Sequence, residues 1–207
     1  MAKIKSIAHP FGKSIKSIVV NGNSIKYVEK GEGNPVIMIH GSQMNSYDWR
    51  HNIDFFARKY KVYAVDMIGC GWSDKPKGMY SPDFFADFIK DFMDRLDINK
   101  AIFIASSWGG GHALHFGLKY PERASAFVLS SPCGYKHKFN PVDLFRVPLL
   151  GRLILLFTSR AMVKSQLVNA HFNRNDAGED LVDAIYAPFF MAGFSQATLM
   201  SYKNANF

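Results

Sequence analysis

The chain has 207 residues, of which 48% are hydrophobic and 20% charged, a composition typical of a folded globular protein and not of a disordered one. Its formal net charge is +8, but the basic residues are scattered and form no continuous block, so we expect no nucleic-acid partner. Two cysteines, Cys70 and Cys133, lie too far apart for a metal site or a redox pair. The sequence therefore predicts neither a metal nor a cofactor.

The apolar segments of the chain do not indicate secretion or membrane insertion. Residues 1–16 lack the apolar stretch of a secretory signal. The most hydrophobic segment, residues 147–157, is interrupted by Arg152 and is far shorter than the roughly 20 residues that cross a bilayer. We expect a cytoplasmic protein without a membrane span, in which residues 147–157 form a buried or interfacial helix.

The strand signals come first in the chain and then alternate with helices. Residues 14–20 and 24–29 are β-prone and flank Asn21-Gly22, a dipeptide that favours a tight hairpin turn. Short apolar runs then predict parallel strands, most of them buried on both faces. These runs are residues 36–39, 62–65, 101–105 and 126–129.

Helices are predicted between these strands. Residues 49–59 form the first, and a third extends from the turn after residue 105 to about residue 120. The second begins with Ser81 as its N-cap and Pro82 in its first turn, followed by apolar residues at helical spacing. Alternating strands and helices predict an α/β fold with a mostly parallel, doubly wound sheet.

The pattern changes after residue 133. Residues 144–157, 161–172 and 179–191 are rich in Leu, Phe and Met and predict helices, and no buried strand is indicated among them. We therefore expect residues 1–133 to form the core and residues 134–207 a helical cap.

A serine near the end of the third parallel strand has the surroundings of a nucleophile. A sharp strand-to-helix turn exposes a serine hydroxyl, but it requires small residues two positions before and two positions after the serine. Ala105 and Gly109 meet this requirement for Ser107. Ser106 has bulky residues at the corresponding positions and is excluded.

Three segments resemble the α/β-hydrolase superfamily. Residues 104–110 resemble its nucleophile elbow, G-x-S-x-G, with Ala105 in place of the first glycine. His40-Gly41-Ser42 is similar to its H-G-x loop, and residues 66–73 to its D-x-x-G-x-G-x-S segment. The resemblance implies that Ser107 is the nucleophile and that the backbone N–H groups of Ser42 and Trp108 form the oxyanion hole. It also implies packing roles for His40 and Asp66.

The resemblance also implies a histidine and an acidic residue, which follow the nucleophile in the order serine, acid, histidine. The sequence offers neither in a matching position. We therefore expect an α/β-hydrolase fold that is truncated before its last strands, and a complete polypeptide that continues for roughly 60 to 100 residues.

The function implied is that of a carboxylesterase-like serine hydrolase. It would cleave an ester, a thioester or an activated C–C bond of a small, apolar acyl substrate through an acyl-enzyme on Ser107. Large apolar residues of the cap could line the acyl pocket or form the core of the cap: Phe145, Leu149, Leu153, Leu156, Phe157, Phe189, Phe190 and Phe194. The alternative is a catalytically inactive hydrolase-like protein that binds a ligand or a partner.

Overall fold

The computed structural model describes residues 8–134, 141–170, 173 and 176–205. In this part of the chain the strands form one six-stranded sheet in the order β1-β2-β4-β3-β5-β6. The strands are β1 (Ile15–Val20), β2 (Asn23–Lys30), β3 (Pro35–Ile39), β4 (Lys61–Val65), β5 (Ala101–Ser106) and β6 (Ala124–Ser130). The helices are α1 (Ile53–Phe56), α2 (Pro82–Arg95), α3 (Ser107–Lys119), α4 (Pro148–Phe157), α5 (Arg160–Ala170), α6 (Glu179–Tyr186) and α7 (Phe194–Asn204).

The sheet is antiparallel at its start and parallel afterwards. Asn21 and Gly22 both have positive φ angles, 48° and 78°, as a tight hairpin between β1 and β2 requires. β2 pairs antiparallel with β4, whereas β3, β4, β5 and β6 pair parallel to one another. The predicted mostly parallel α/β sheet is confirmed.

The apolar sequence of β3 has a structural cause, because helices or loops cover both faces of the sheet at this strand. In β3, Ile37 and Ile39 join the core cluster on the side of α2 and α3, while Val36 and Met38 join a second cluster on the opposite side. All four side chains are at most 1% exposed. The continuous apolar run of β3 thus follows from its burial on both faces.

The helices between the strands agree only partly with the predictions. α2 begins after Ser81, whose Oγ accepts a hydrogen bond from the Phe84 N–H at 3.2 Å, so the predicted N-cap is confirmed. The single helix predicted over residues 49–59 is wrong. The chain there forms a 3-10 turn, Ser46–Trp49, and the four-residue α1. The Arg50 and Asn52 N–H groups each bond to a carbonyl three residues back, which tightens the segment into turns.

The described residues after 140 are helical, as predicted, and include no strand. α5 and α6 pack together around Val163, Leu167, Leu181 and Ile185. Burial of α4, one of the two alternatives for residues 147–157, is wrong, because Leu149, Leu156 and Phe157 are each at least 70% exposed. Among the described helices, none is long and apolar enough to cross a membrane.

Candidate active site

Ser107 lies at the junction of β5 and α3 in a strained backbone conformation. Ser106, the last residue of β5, is extended, and Ser107 then adopts a φ of 50°. A positive φ is uncommon for a residue with a side chain and costs about 1 to 3 kcal/mol, so the surrounding structure must hold it. Part of that support comes from the Cys133 N–H, which donates to the Ser107 carbonyl at 2.9 Å. The Ser107 side chain is exposed.

The size limit predicted at position 109 arises from the end of β3. A Cβ atom built on Gly109 would lie 2.7 Å from Ile39 Cγ2 and closer still to the His40 carbonyl oxygen. Gly110 faces Pro132 in the same manner, with a built Cβ 2.8 Å from the proline Cβ. The first turn of α3 is therefore pressed against the backbone on two sides, and Ser107 projects at its start.

The loop after β3 passes next to Ser107. A Cβ atom built on Gly41 would lie 3.7 Å from Ser107 Cβ, which is an ordinary van der Waals contact. The backbone of the loop at Gly41 therefore lies beside the Ser107 side chain. The loop then turns, closed by a hydrogen bond from the Met44 N–H to the Gly41 carbonyl at 3.2 Å. Ser42 is a central residue of this turn. Together with Trp108 it lines the pocket described below.

His40 is buried and uses both ring nitrogens to hold the loop. The Met67 N–H donates to its Nε2 at 3.1 Å, so Nδ1 carries the proton and donates to the Gly41 carbonyl at 2.8 Å. Burial lowers the pKa of His40, although the bond to Gly41 opposes this shift. The side chain is neutral and engaged, which matches the predicted packing role and leaves no nitrogen for Ser107.

Asp66, at the end of β4, is fully buried and holds the segments around it. Its two carboxylate oxygens accept hydrogen bonds from the Ser46 N–H and the Trp72 N–H, both at 2.8 Å, and His9 Nε2 lies 3.5 Å away. Burial alone raises the pKa of this carboxyl, but His9 and the backbone donors outweigh it and the net pKa is lowered. Asp66 is thus an ionised structural acceptor.

The structure brings no histidine to Ser107 within the described ranges. His112 is buried on α3, where burial lowers its pKa well below the usual value, and His115 Nε2 lies at the surface, 3.0 Å from Asp83 Oδ1. His137 and His171 lie outside the described residues. No described carboxylate or histidine hydrogen-bonds the Ser107 hydroxyl, so the described segments bring no base to the predicted nucleophile.

A cleft of about 320 Å³, including its open mouth, lies between the core and α7. Its wall is mostly apolar and is formed by Ser42, Gln43, Ile68, Gly69, Cys70, Tyr80, Phe85, Trp108, Phe194, Ala197, Thr198, Ser201 and Tyr202. Burial raises the pKa of the Cys70 thiol in this wall to about 12, so the thiol keeps its proton at neutral pH. The cleft thus places an apolar surface next to the predicted oxyanion residues.

The cap residues named from the sequence contribute less to this cleft than expected. Of the eight, only Phe194 belongs to the wall. Phe189 stacks on Phe194 behind the wall, with ring centroids 4.3 Å apart. Several of the others are neither pocket wall nor cap core, because they are at least 41% exposed: Leu149, Leu153, Leu156, Phe157 and Phe190.

Neither α7 nor its tyrosine at the site was indicated by any sequence pattern. The Tyr202 hydroxyl lies 2.7 Å from Ser42 Oγ and 2.7 Å from Gln43 Nε2. These residues are separated by about 160 positions in the chain, and no motif connects them. Only the folded chain brings them together.

Residues 34–165 match the family model described as alpha/beta hydrolase fold, which is more than half of the chain. The chain belongs to the α/β-hydrolase fold family. The mostly parallel sheet and the sharp turn at Ser107 agree with this assignment. The fold expected from the three sequence segments is confirmed.

Relatives of this α/β-hydrolase chain include hydrolases with different named substrates. It is 32% identical over 189 residues to the 2-hydroxymuconate semialdehyde hydrolase of Pseudomonas sp. strain CF600, covering 88% of this chain and 63% of that protein. It is 33% identical over 208 residues to epoxide hydrolase 3 of Mus musculus, covering 92% and 57%. The chain therefore spans little more than half the length of these curated relatives.

A solved structure of a hydrolase is also similar to this chain. A mutant of the meta-cleavage product hydrolase CumD from Pseudomonas fluorescens IP01, complexed with acetates, superposes with a TM-score of 0.75 and 31% identity. The match covers 90% of this chain and 68% of that one. The family assignment is thus supported by both sequence and structure.

Proposed function

We propose that the whole protein is a serine hydrolase that cleaves an ester, a thioester or an activated C–C bond through an acyl-enzyme on Ser107. The observation that carries the proposal is the conformation of Ser107, which is exposed at a positive φ of 50° between β5 and α3. Such strain is kept where it serves a site, because it costs stability and contributes no contact of its own. It presents the hydroxyl clear of its own strand and helix.

The reaction follows from the groups around Ser107. Its Oγ attacks a carbonyl carbon, and the developing oxyanion accepts hydrogen bonds from the Ser42 and Trp108 backbone N–H groups. The leaving group departs with a proton, and water then attacks the ester formed on Ser107 to release the acid and restore the hydroxyl. We expect the histidine that moves these protons, and the acid that orients it, to lie outside the described residues.

The nucleophile type favours a carbonyl substrate over the epoxide named for one relative. Attack of a serine hydroxyl on an epoxide or a haloalkane would form an ether. An ether has no carbonyl carbon for water to attack, so the serine would not be released. A carboxylate nucleophile would form an ester there, but position 107 holds a serine. The relatives named as hydrolases of a semialdehyde and of a meta-cleavage product are therefore better guides to the substrate of this protein than the epoxide hydrolase.

The apolar cleft supports a small acyl group as the part of the substrate next to Ser107. The walls of the cleft offer mainly aromatic and aliphatic surface, which is the lining typical of ligand pockets. A small-molecule substrate that needs no cofactor fits this site.

The test is covalent labelling of the whole polypeptide with a fluorophosphonate probe. We expect stoichiometric labelling that maps to Ser107, is lost in Ser107→Ala and is retained in the matched control Ser106→Ala. The control lies one residue away in β5, so it reports any general damage to the turn. Labelling that persists in Ser107→Ala would refute the proposal.

A second candidate is a catalytically inactive member that keeps the cleft for binding a ligand or a partner. It is favoured by one observation, that no described histidine contacts the Ser107 hydroxyl. Absence of any labelling in the folded whole polypeptide would support this candidate over the enzyme.

A further inference from the structure

The turn at residues 41–44, which carries Ser42, has little support from backbone hydrogen bonds. It is closed by a single backbone hydrogen bond of 3.2 Å between Met44 and Gly41. Gln43, the residue after Ser42, has a φ of 58°, which a residue with a side chain adopts only at a cost. The direction of the Ser42 N–H therefore depends on what holds the side chains of the turn.

Both side chains of the turn bond to the same hydroxyl on α7. The Gln43 Nε2–H donates to the Tyr202 oxygen at 2.7 Å, and Ser42 Oγ lies 2.7 Å from that oxygen. Since the phenol accepts from Gln43, its own proton is free to be donated to Ser42 Oγ. Burial raises the pKa of Tyr202, so the phenol keeps this proton, although its bonds to Ser42 and Gln43 oppose the shift.

Tyr202 is itself held in place from behind. Its ring stacks on Phe145 with centroids 4.8 Å apart and an interplanar angle of 29°. Its carbonyl accepts a hydrogen bond from Arg146 Nε at 3.2 Å, and the same arginine bonds to the Ala205 carbonyl at 3.1 Å. The hydroxyl therefore presents a fixed point to the turn, as positioning of a catalytic donor requires.

We propose that Tyr202 is a positioning residue that holds the Ser42–Gln43 turn so that the Ser42 N–H points to the carbonyl bound at Ser107. This inference rests on the proposed function. It makes α7 a support of the oxyanion hole that acts through the Ser42–Gln43 turn. Displacement of α7 would misalign one oxyanion donor and leave Ser107 in place.

The test compares Tyr202→Phe with Tyr47→Phe in the whole polypeptide. Tyr47 is a matched control, because its hydroxyl donates to Asp180 of α6 at 2.9 Å and so links core to cap away from the turn. With p-nitrophenyl butyrate as the substrate, Tyr202→Phe should lower kcat about tenfold, less than complete loss of one oxyanion donor, and change KM less than about twofold. Tyr47→Phe should leave both constants unchanged.

Two further measurements separate positioning from general damage. Hydrogen exchange at the Ser42, Gln43 and Met44 amides should accelerate in Tyr202→Phe and not in Tyr47→Phe. Ser42→Ala keeps the backbone donor but removes the side-chain bond, so its effect on kcat should not add to that of Tyr202→Phe.

The outcomes distinguish the inference from the function on which it rests. Equal kcat in Tyr202→Phe and the parent, or unchanged exchange of the turn, would overturn the positioning role. A rise in KM with kcat unchanged would also overturn it, because Tyr202 would then only bind substrate. If Ser107 in the parent is neither labelled nor active, the proposed function fails, and the exchange measurement still decides whether Tyr202 holds the turn.

Discussion

Gly109→Ala tests how tightly α3 is seated against the end of β3. The added Cβ would lie 2.7 Å from Ile39 Cγ2, about 1 Å less than ordinary carbon–carbon contact, and 2.8 Å from the Ile39 carbonyl oxygen. Backbone atoms cannot rotate out of the way, so β3 and α3 must separate. Overpacking of this kind costs about 1 to 3 kcal/mol.

The sign of the effect makes this substitution informative. Gly109 lies in the first turn of α3, and alanine in a helix is favoured over glycine by up to about 1 kcal/mol. Without a clash the variant would thus be more stable than the parent. With the clash we expect a net loss of about 1 to 2 kcal/mol in the free energy of unfolding, measured by urea denaturation.

The same substitution should slow fluorophosphonate labelling of Ser107 by at least about tenfold, because the Trp108 N–H moves with the turn. Gly78→Ala is the control, since its Cβ would meet Phe84 at an ordinary 3.8 Å, and its stability should change by less than about 0.5 kcal/mol. A Gly109→Ala variant as stable as the parent and labelled at the same rate would refute the reasoning.

Two other substitutions test the supports of the fold. Asp66→Asn should lower the free energy of unfolding by about 2 kcal/mol. The asparagine NH₂ group would face the Ser46 or the Trp72 backbone N–H, each of which now donates a hydrogen bond to a carboxylate oxygen. The lowered pKa of Asp66 means that its contribution is present above about pH 4 and is lost as the pH falls through the folded-state value. Acid unfolding curves should therefore show a loss of stability below pH 4 that is smaller in Asp66→Asn; identical curves would contradict this. Ser81→Ala should cost about 1 kcal/mol in urea denaturation by removing the N-cap of α2, and no change would show that the cap contributes nothing.

The parallel strands and the turn at Ser107 could be predicted because their causes are local. A strand covered on both faces needs a continuous apolar run, and β3, β4 and β5 have one. The turn needs small residues around the serine, and the sequence shows Ala105 and Gly109. What the sequence could not show is that the limit at Gly109 comes from the His40 and Ile39 backbone.

The helices after residue 140 were predicted less well because their packing depends on distant residues. The periodicity of residues 147–157 indicates an apolar helix but does not say whether anything covers it, and Leu156 is 75% exposed. α7 begins at Phe194 after a left-handed Gly193, and its pattern is only weakly amphipathic. The contact of Tyr202 with Ser42 joins segments at opposite ends of the chain, so no local pattern contains it.

A crystal structure of the whole polypeptide with a phosphonate bound covalently to its nucleophile tests the central claim most directly. We expect the phosphorus on Ser107 Oγ and a phosphonyl oxygen about 2.7 to 3.1 Å from the backbone nitrogens of both Ser42 and Trp108. An adduct on another residue, or an oxygen that points away from these two amides, would contradict the account.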